Sequence, residues 1–300
     1  MLLESGDRRV WTPTDRAGER LTVARPVHDV EVLSVRGSNR YWREAHSCFT
    51  LALIHETPTA TRVEWRTRGR SFCTEGGGLM AIEPGDMHVT HRLHLQGKAA
   101  SFDVLRFAPA LVSRACSELN LARDFHFSSS APEGAAVLGS LKSFIALVAT
   151  GADSFELDSA CALAVHSLVT TLREPSRAGR PTADGNDYRL RRVREYLRAH
   201  LDRRPTLAEL EHESTLSRFR LCSLFKEVHG VTIGQYWNAL RAEEACRRVK
   251  RGASIPMIVA ELGYSDPCYF WRAFRKQFGV PPVALRELYA INDRTGRSRA

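Results

Sequence analysis

SIPMIVAELGYSDPCYFWRAFRKQFGVPPVALREL, Ser254 to Leu288, carries the pattern of two helices joined by a tight turn. Ser254 has an N-capping side chain, and Pro256 suits a first helical turn, where its missing N–H is not needed. Ile258, Val259 and Leu262 form an apolar face. Gly263 stands where the chain must reverse, and a residue without Cβ tolerates the positive φ of such a turn. Ser265 is the N-cap candidate of the next helix. Phe270, Ala273, Phe274 and Phe278 then recur at spacings of three and four, which marks one helix face. Trp271, Arg272, Arg275 and Lys276 occupy the opposite face. Gly279 stops the helix, and Pro281 and Pro282 prevent its continuation. A short buried helix, a small turn residue and a second helix with a basic outer side make the layout of a helix-turn-helix.

The same layout occurs once more upstream. Tyr188–His200 is amphipathic through Leu190, Val193 and Leu197. Thr206 and Glu209 have the spacing of a capping box. Ser217 is placed to cap a further helix, which Gly230 ends, and Thr232 to Arg251 reads as one long helix. This C-terminal part resembles the AraC/XylS family of transcription regulators. The second unit matches through Ala260, Gly263, Tyr264, Phe270, Arg272, Phe274, Arg275, Lys276, Phe278, Gly279 and Pro282. The first matches through Leu207, Leu210, Ser217, Leu221, Phe225, Lys226 and Gly230. It departs at Glu211, where the family usually has Ala, and at Thr215, where it usually has the Gly of the turn. That leaves the first turn reshaped or less tightly packed.

The resemblance implies two recognition helices held apart by a connecting helix, on double-stranded promoter DNA. Residues early on such a helix meet base edges. In the second unit these are Pro267, Cys268, Trp271 and Arg272. Arg272 is the best reader, since a guanidinium fits the O6/N7 edge of guanine. In the first they are Arg218, Phe219, Cys222 and Ser223. Arg220, Lys226, Arg275 and Lys276 are assigned to phosphates or to the solvated face. For the whole chain the resemblance implies a ligand-responsive bacterial regulator, an activator that also touches RNA polymerase, with a small-molecule effector and a homodimer among its partners.

Charge agrees with a polyanionic partner. The formal net charge is +9. From Asn186 to Ala300 there are 22 Lys+Arg against 13 Asp+Glu, so this part holds the whole excess, while Met1 to Gly185 is balanced at 21 and 21. A charge excess confined to one domain suggests nucleic acid. The seven cysteines are scattered and form no CxxC pair, which argues against a disulfide framework or a zinc finger and for a reducing compartment. The N-terminus lacks a secretory apolar region, and no apolar run approaches the ~20 residues of a membrane span. The expectation is a cytoplasmic, nucleoid-associated protein.

The first 20 residues read as a loose polar arm. Val30–Val35, Cys48–Ile54, Thr61–Thr67, Gly78–Ile82 and Ala99–Phe107 read as strands of a barrel or sandwich. Gly77 to His88, GGLMAIEPGDMH, resembles the second strand-turn motif of cupins, a barrel that AraC-type regulators often carry as sensor. Cupin enzymes ligate a metal with a His-x-His pair, a Glu and a later His. Here His88, His91 and His94 follow the turn, and only His46 stands near the first motif, so no metal and no cofactor are expected. Arg62, Glu64, Arg66 and Arg68 alternate on one strand face. An inward row would suit an anionic ligand; an outward row would be solvated. The ligand-site candidates are His46, Arg62, Glu64, Arg66 and His88.

Pro109–Leu119, Glu133–Ala149 and Ser154–Leu172 read as helices. Their stripes, Leu138, Leu141, Ile145 and Val148, then Leu157, Cys161, Ala164, Leu168 and Leu172, either pack on the barrel or form a dimer seam. Glu174 to Asn186 reads as a linker. The expected architecture is α+β and multidomain: a cupin-like sensor and dimerisation barrel with following helices over 1–174, a linker over 175–186, and an all-α DNA-binding domain of two helix-turn-helix units over 187–300. A non-enzymatic role is expected, with no catalytic residues. The alternatives are a cupin-type metalloenzyme with a DNA-binding tail, and a DNA-binding regulator that senses no small molecule.

Overall fold

The structure is a computed structural model that describes residues 2–5, 8–11, 19–56, 61–67, 70–95, 99–121, 125, 127, 135–172 and 185–290. The strands are β1 (Leu2–Ser5), β2 (Arg8–Trp11), β3 (Arg20–Ala24), β4 (Val30–Ser38), β5 (Arg43–Ala45), β6 (Phe49–Ile54), β7 (Arg62–Thr67), β8 (Arg70–Glu75), β9 (Leu79–Ile82), β10 (Met87–His94) and β11 (Ala100–Phe107). They form a seven-stranded sheet, β1-β2-β3-β4-β11-β6-β9, and a four-stranded one, β5-β10-β7-β8. The N-terminal residues are thus not a loose arm: β1 and β2 form a hairpin, and β2 pairs with β3 in the register Trp11↔Leu21. Without them β3 would be an edge strand with unpaired backbone groups.

Every residue of β6 is buried, because both of its faces are covered. Ala52 and Ile54 face an interior shared with Val63, Trp65, Met80, Ile82 and Val104. Leu51 and Leu53 face the opposite way with Leu105 and Phe107, against three helices. These are α1 (Pro109–Glu118), α2 (Ala135–Thr150) and α3 (Ser154–Thr171). On α2 the fully buried residues are Val137, Leu141 and Phe144, with Leu138, Ile145 and Val148 partly buried against the same core. Cys161, Ala164 and Leu168 of α3, and Leu172 at its C-cap, are buried in it too. Both stripes therefore pack onto the sheet and each other, and the large apolar residues that α3 turns outward are Phe155 and Leu163.

The C-terminal helices are α4 (Gly185–Ala199), α5 (Leu207–Ser214), α6 (Arg218–His229), α7 (Ile233–Lys250), α8 (Ile255–Glu261), α9 (Pro267–Phe278) and α10 (Pro282–Ala290). The expected linker falls outside the described residues up to 184; Gly185 and Asn186 belong to α4 instead. Two cores cross from sheets to helices. Leu21, Val23 and Val35 join α7 to α10. Ala45, Met87 and Val89 join α4 to α7. Helix α7 thus lies on both cores and against the barrel.

Candidate nucleic-acid interface and barrel cavity

In the first helical pair the capping box forms as its spacing demands: Glu209 N donates to Thr206 Oγ1 at 3.3 Å, and Thr206 N donates to Glu209 at 2.6 Å. Thr215 takes φ +56, the left-handed conformation normally left to glycine. Ser217 occupies the N-cap of α6 but makes no side-chain cap bond. Glu211 does so instead, its carboxylate accepting from Arg218 N at 2.6 Å. Its negative charge also faces the positive end of α6. The two departures from the family pattern thus lie side by side: Thr215 turns the chain under strain, and Glu211 holds the entry to α6.

In the second pair Ser254 caps α8, accepting from Met257 N at 3.5 Å. The cap of α9 is Asp266, not Ser265, with its carboxylate accepting from Cys268 N at 2.9 Å and Tyr269 N at 3.0 Å. Pro267 takes the first helical position, so the cap moves one residue along. Phe270 and Phe274 are buried, Phe278 is partly buried, and Gly279 ends the helix at φ +76. Arg241 of α7 anchors this unit. Its guanidinium donates to the Leu262 carbonyl at 3.0 and 2.5 Å, between the rings of Trp237 and Tyr264. It therefore satisfies a carbonyl at the end of α8 that has no partner within its own helix.

The expected DNA-contact residues all lie on α6 and α9. Arg218, Phe219, Arg220, Cys222, Ser223 and Lys226 are exposed on α6; Pro267, Cys268, Trp271, Arg272 and Arg275 are exposed on α9. Lys276 lies on α9, with its side chain outside the described residues. Arg272 is 77% exposed and only loosely paired, 3.9 Å from Asp266. Phe219 is 81% exposed, a large apolar surface left in water. Helix α7 has 18 residues, about 27 Å of rise, which separates the two units.

The barrel encloses a cavity of about 60 Å³. Its wall is apolar through Leu33, Trp42, Ile54, Met80, Leu93 and Phe102, and polar through Arg40, Glu44, His46, Thr50, His88 and Arg106. His46 and His88, both singled out in the sequence, meet here: His46 Nε2 is 2.7 Å from His88 Nδ1. Burial holds both imidazoles below their usual range, His88 at about 4, with the Arg106 charge adding to the effect. Arg62, Glu64 and Arg66 do not line the cavity. In β7 Val63, Trp65 and Thr67 are the buried set, so the charged row turns outward, where Glu64 pairs with His94 at 3.0 Å. Arg68 lies outside the described residues. His91 and His94 are likewise exposed.

Glu44, His46, Thr50 and Arg106 also line a cleft of about 810 Å³ that α7 borders through Glu243, Cys246, Arg247 and Lys250. Beside it, Glu31 of β4 accepts from Arg106 of β11 at 2.6 Å and from Lys250 of α7 at 3.1 Å. Burial opposes the Glu31 charge, but the Lys250 ammonium and Arg106 guanidinium hold its carboxyl well below the usual range. The Lys250 ammonium also lies 4.5 Å from the Tyr289 ring of α10. A second tie joins the Pro84-Gly85 turn to the helices: the Tyr236 hydroxyl donates to the Gly85 carbonyl at 2.9 Å. The sequence reading passed over Glu31, Glu44, Arg106 and Lys250. Glu44-x-His46 was the one local signal, two donors on alternate positions.

Comparison with known proteins places the helical part. A family profile described as a helix-turn-helix domain matches residues 210–288. The MmsAB operon regulatory protein of Pseudomonas aeruginosa is 32% identical over 117 residues, 39% of this chain and 36% of that protein. A probable transcription factor, PqrA of Proteus vulgaris, is 32% identical over 79 residues, 26% of this chain and 65% of that one. The match to the first of these spans about a third of the relative's length. Among solved structures, an apo ToxT variant from Vibrio cholerae aligns over 88% of this chain and 98% of its own, with a TM-score of 0.51 and 11% identity, a likeness of fold. No described helix is long and apolar enough to cross a membrane. Residues 210–288, which run from within α5 to α10 and so take in both helical pairs and α7, match a helix-turn-helix domain, and the relatives similar to this part of the chain are named as a regulatory protein and a probable transcription factor.

Proposed function

We propose that the chain is a ligand-responsive transcription regulator that binds promoter DNA through α6 and α9 and acts as an activator in contact with RNA polymerase. The observation that carries this reading is the pair of exposed helices, one on each side of α7, in the part of the chain that holds the whole +9 excess. The barrel serves as the sensor. Its cavity meets the cleft beside α7, so an effector there lies next to the contacts that join barrel and helices. The exposed Phe155 and Leu163 of α3 suit pairing with a second copy.

Arg272→Ala should lose about 1–3 kcal/mol of affinity for the operator and relax specificity at one base position. Arg275→Ala, almost a turn further along α9, should weaken specific and scrambled duplex alike and lower the salt slope by about one. Genome-wide mapping of bound DNA supplies the operator, and fluorescence anisotropy at two salt concentrations reads both effects. If Arg272→Ala weakens both duplexes equally while Arg275→Ala alters base preference, the reading face is wrongly assigned.

A further inference from the structure

Arg40 reaches from the barrel to helix α9. It stands between β4 and β5, and its side chain is buried. Its Nε donates to both carboxylate oxygens of Glu19 at 2.9 Å, and its Nη2 donates to Glu19 as well. The same Nη2 donates to the carbonyl of Gly279 at 3.2 Å. Gly279 is the C-cap of α9, where a carbonyl has no partner within its own helix. The guanidinium also lies 5.7 Å from the Trp42 ring, and both side chains line the barrel cavity. We propose that Arg40 is a positioning residue that braces α9 against the barrel and so restrains its entry into DNA. The inference rests on the reading of α9 as a DNA-contacting helix and adds how the barrel acts on it.

A buried ion pair with Glu19 accounts for Arg40 within the barrel, but not for the bond to Gly279. Helix α9 does not need that bond to take shape. Asp266 caps its start, Phe270 and Phe274 bury its inner face, and Arg241 ties the unit to α7. At its end the Gly279 N–H donates to the Arg275 carbonyl at 2.8 Å. The Arg40 bond therefore acts between the barrel and a helix that is already built. It leaves little slack, because a Cβ at Gly279 would overlap the Arg40 guanidinium.

A restraint at this place opposes DNA binding. Helix α7 rises about 27 Å over its 18 residues, whereas successive major-groove faces lie about 34 Å apart. Both units seat only if α9 tilts or the duplex bends, and the brace resists the tilt. An occupant of the cavity would lie one side chain away from α9.

The test combines amide exchange and DNA binding by the full chain. The Arg40 N–H donates to Ser38 Oγ at 3.3 Å, so its exchange reports how firmly the brace is seated. Replacing the pair together, Glu19→Gln with Arg40→Met, leaves neither buried charge without its partner. Without DNA this variant should exchange faster than the unaltered chain over residues 277–280, with α6 unchanged. It should bind the operator about 5- to 30-fold more tightly, the effect of losing one restraint of ordinary strength. Arg40→Lys keeps the charge beside Glu19 but not the fork that serves both acceptors, and should give a smaller gain. Arg25→Met, which removes a barrel cation lying over the Tyr289 ring of α10, should give none. In the unaltered chain the operator should speed exchange at Arg40. Unchanged exchange over 277–280 in the paired variant overturns the proposal. So does operator affinity that stays the same or falls, or slower exchange at Arg40 in the complex. Should the paired variant fail to fold, exchange at Arg40 in the unaltered chain decides. A chain that bound no operator would sink the regulator reading, while the exchange measured without DNA would still judge the brace.

Discussion

Gly263→Ala is expected to destabilise the chain by about 4 kcal/mol and to abolish operator binding. Gly263 has φ +63, and a Cβ there would stand 1.7 Å from the Asp202 carbonyl oxygen and 2.7 Å from its carbon. The left-handed conformation alone costs an L-residue about 1–2 kcal/mol. The obstacle is backbone, not the tip of a flexible side chain, so the segment between α4 and α5 must move, which adds about 1–3 kcal/mol. Asp202 leads into the first helical pair and Gly263 turns the second. The close approach therefore holds the two units in register, and displacing it disturbs both. Gly252→Ala is the control. Its φ is +81, but a Cβ there meets nothing within 4 Å, so only the conformational cost of about 1–2 kcal/mol applies. Denaturant unfolding of both variants measures the difference. Equal losses would show that the contact with Asp202 contributes nothing.

Glu31→Gln should cost about 3–5 kcal/mol, the usual result of removing one partner from a buried charge group. Glu31 sits between Lys250 and Arg106, and its side chain is 13% exposed. Gln would leave two cations close together in a site from which water is largely removed. Because Lys250 belongs to α7 and Glu31 to β4, the loss falls on the contact between barrel and helices. Adding Lys250→Met should recover part of it, since one of the two uncompensated charges is then gone. A double-mutant cycle reads this coupling, expected at about 1–3 kcal/mol. Additive losses from the two substitutions would mean that the 3.1 Å contact carries no interaction energy.

Local signals in the chain foretold the helical part well. Capping residues, turn glycines and three-four spacing act over a few residues, and Thr206, Ser254, Gly263 and Gly279 do what their chemistry requires. The one-residue move of the α9 cap to Asp266 follows from Pro267. Thr215 shows the limit of local reading: its side chain argues against φ +56, yet it takes that conformation as the C-cap of α5. The barrel was legible as strands but not as a site. Whether Arg66 or Trp65 of β7 faces inward depends on how the second sheet closes over the first, and alternation alone fits either choice. The meeting of His46 with His88 spans 42 residues, and that of Glu31 with Lys250 spans 219. No periodicity in one sequence connects positions so far apart. The N-terminal hairpin escaped because β1 and β2 have only four residues each, too few to show an alternation, and their place is set by the edge of β3.

The most direct test of the account is a hydroxyl-radical footprint of the full chain on a site taken from genome-wide mapping. Helices α6 and α9, set apart by α7, should protect two windows centred about one helical turn, roughly 10 base pairs, apart on one face of the duplex. Arg272→Ala should weaken one window and spare the other. A single protected window, or uniform protection without sequence preference, would contradict the claim that the two units read DNA together.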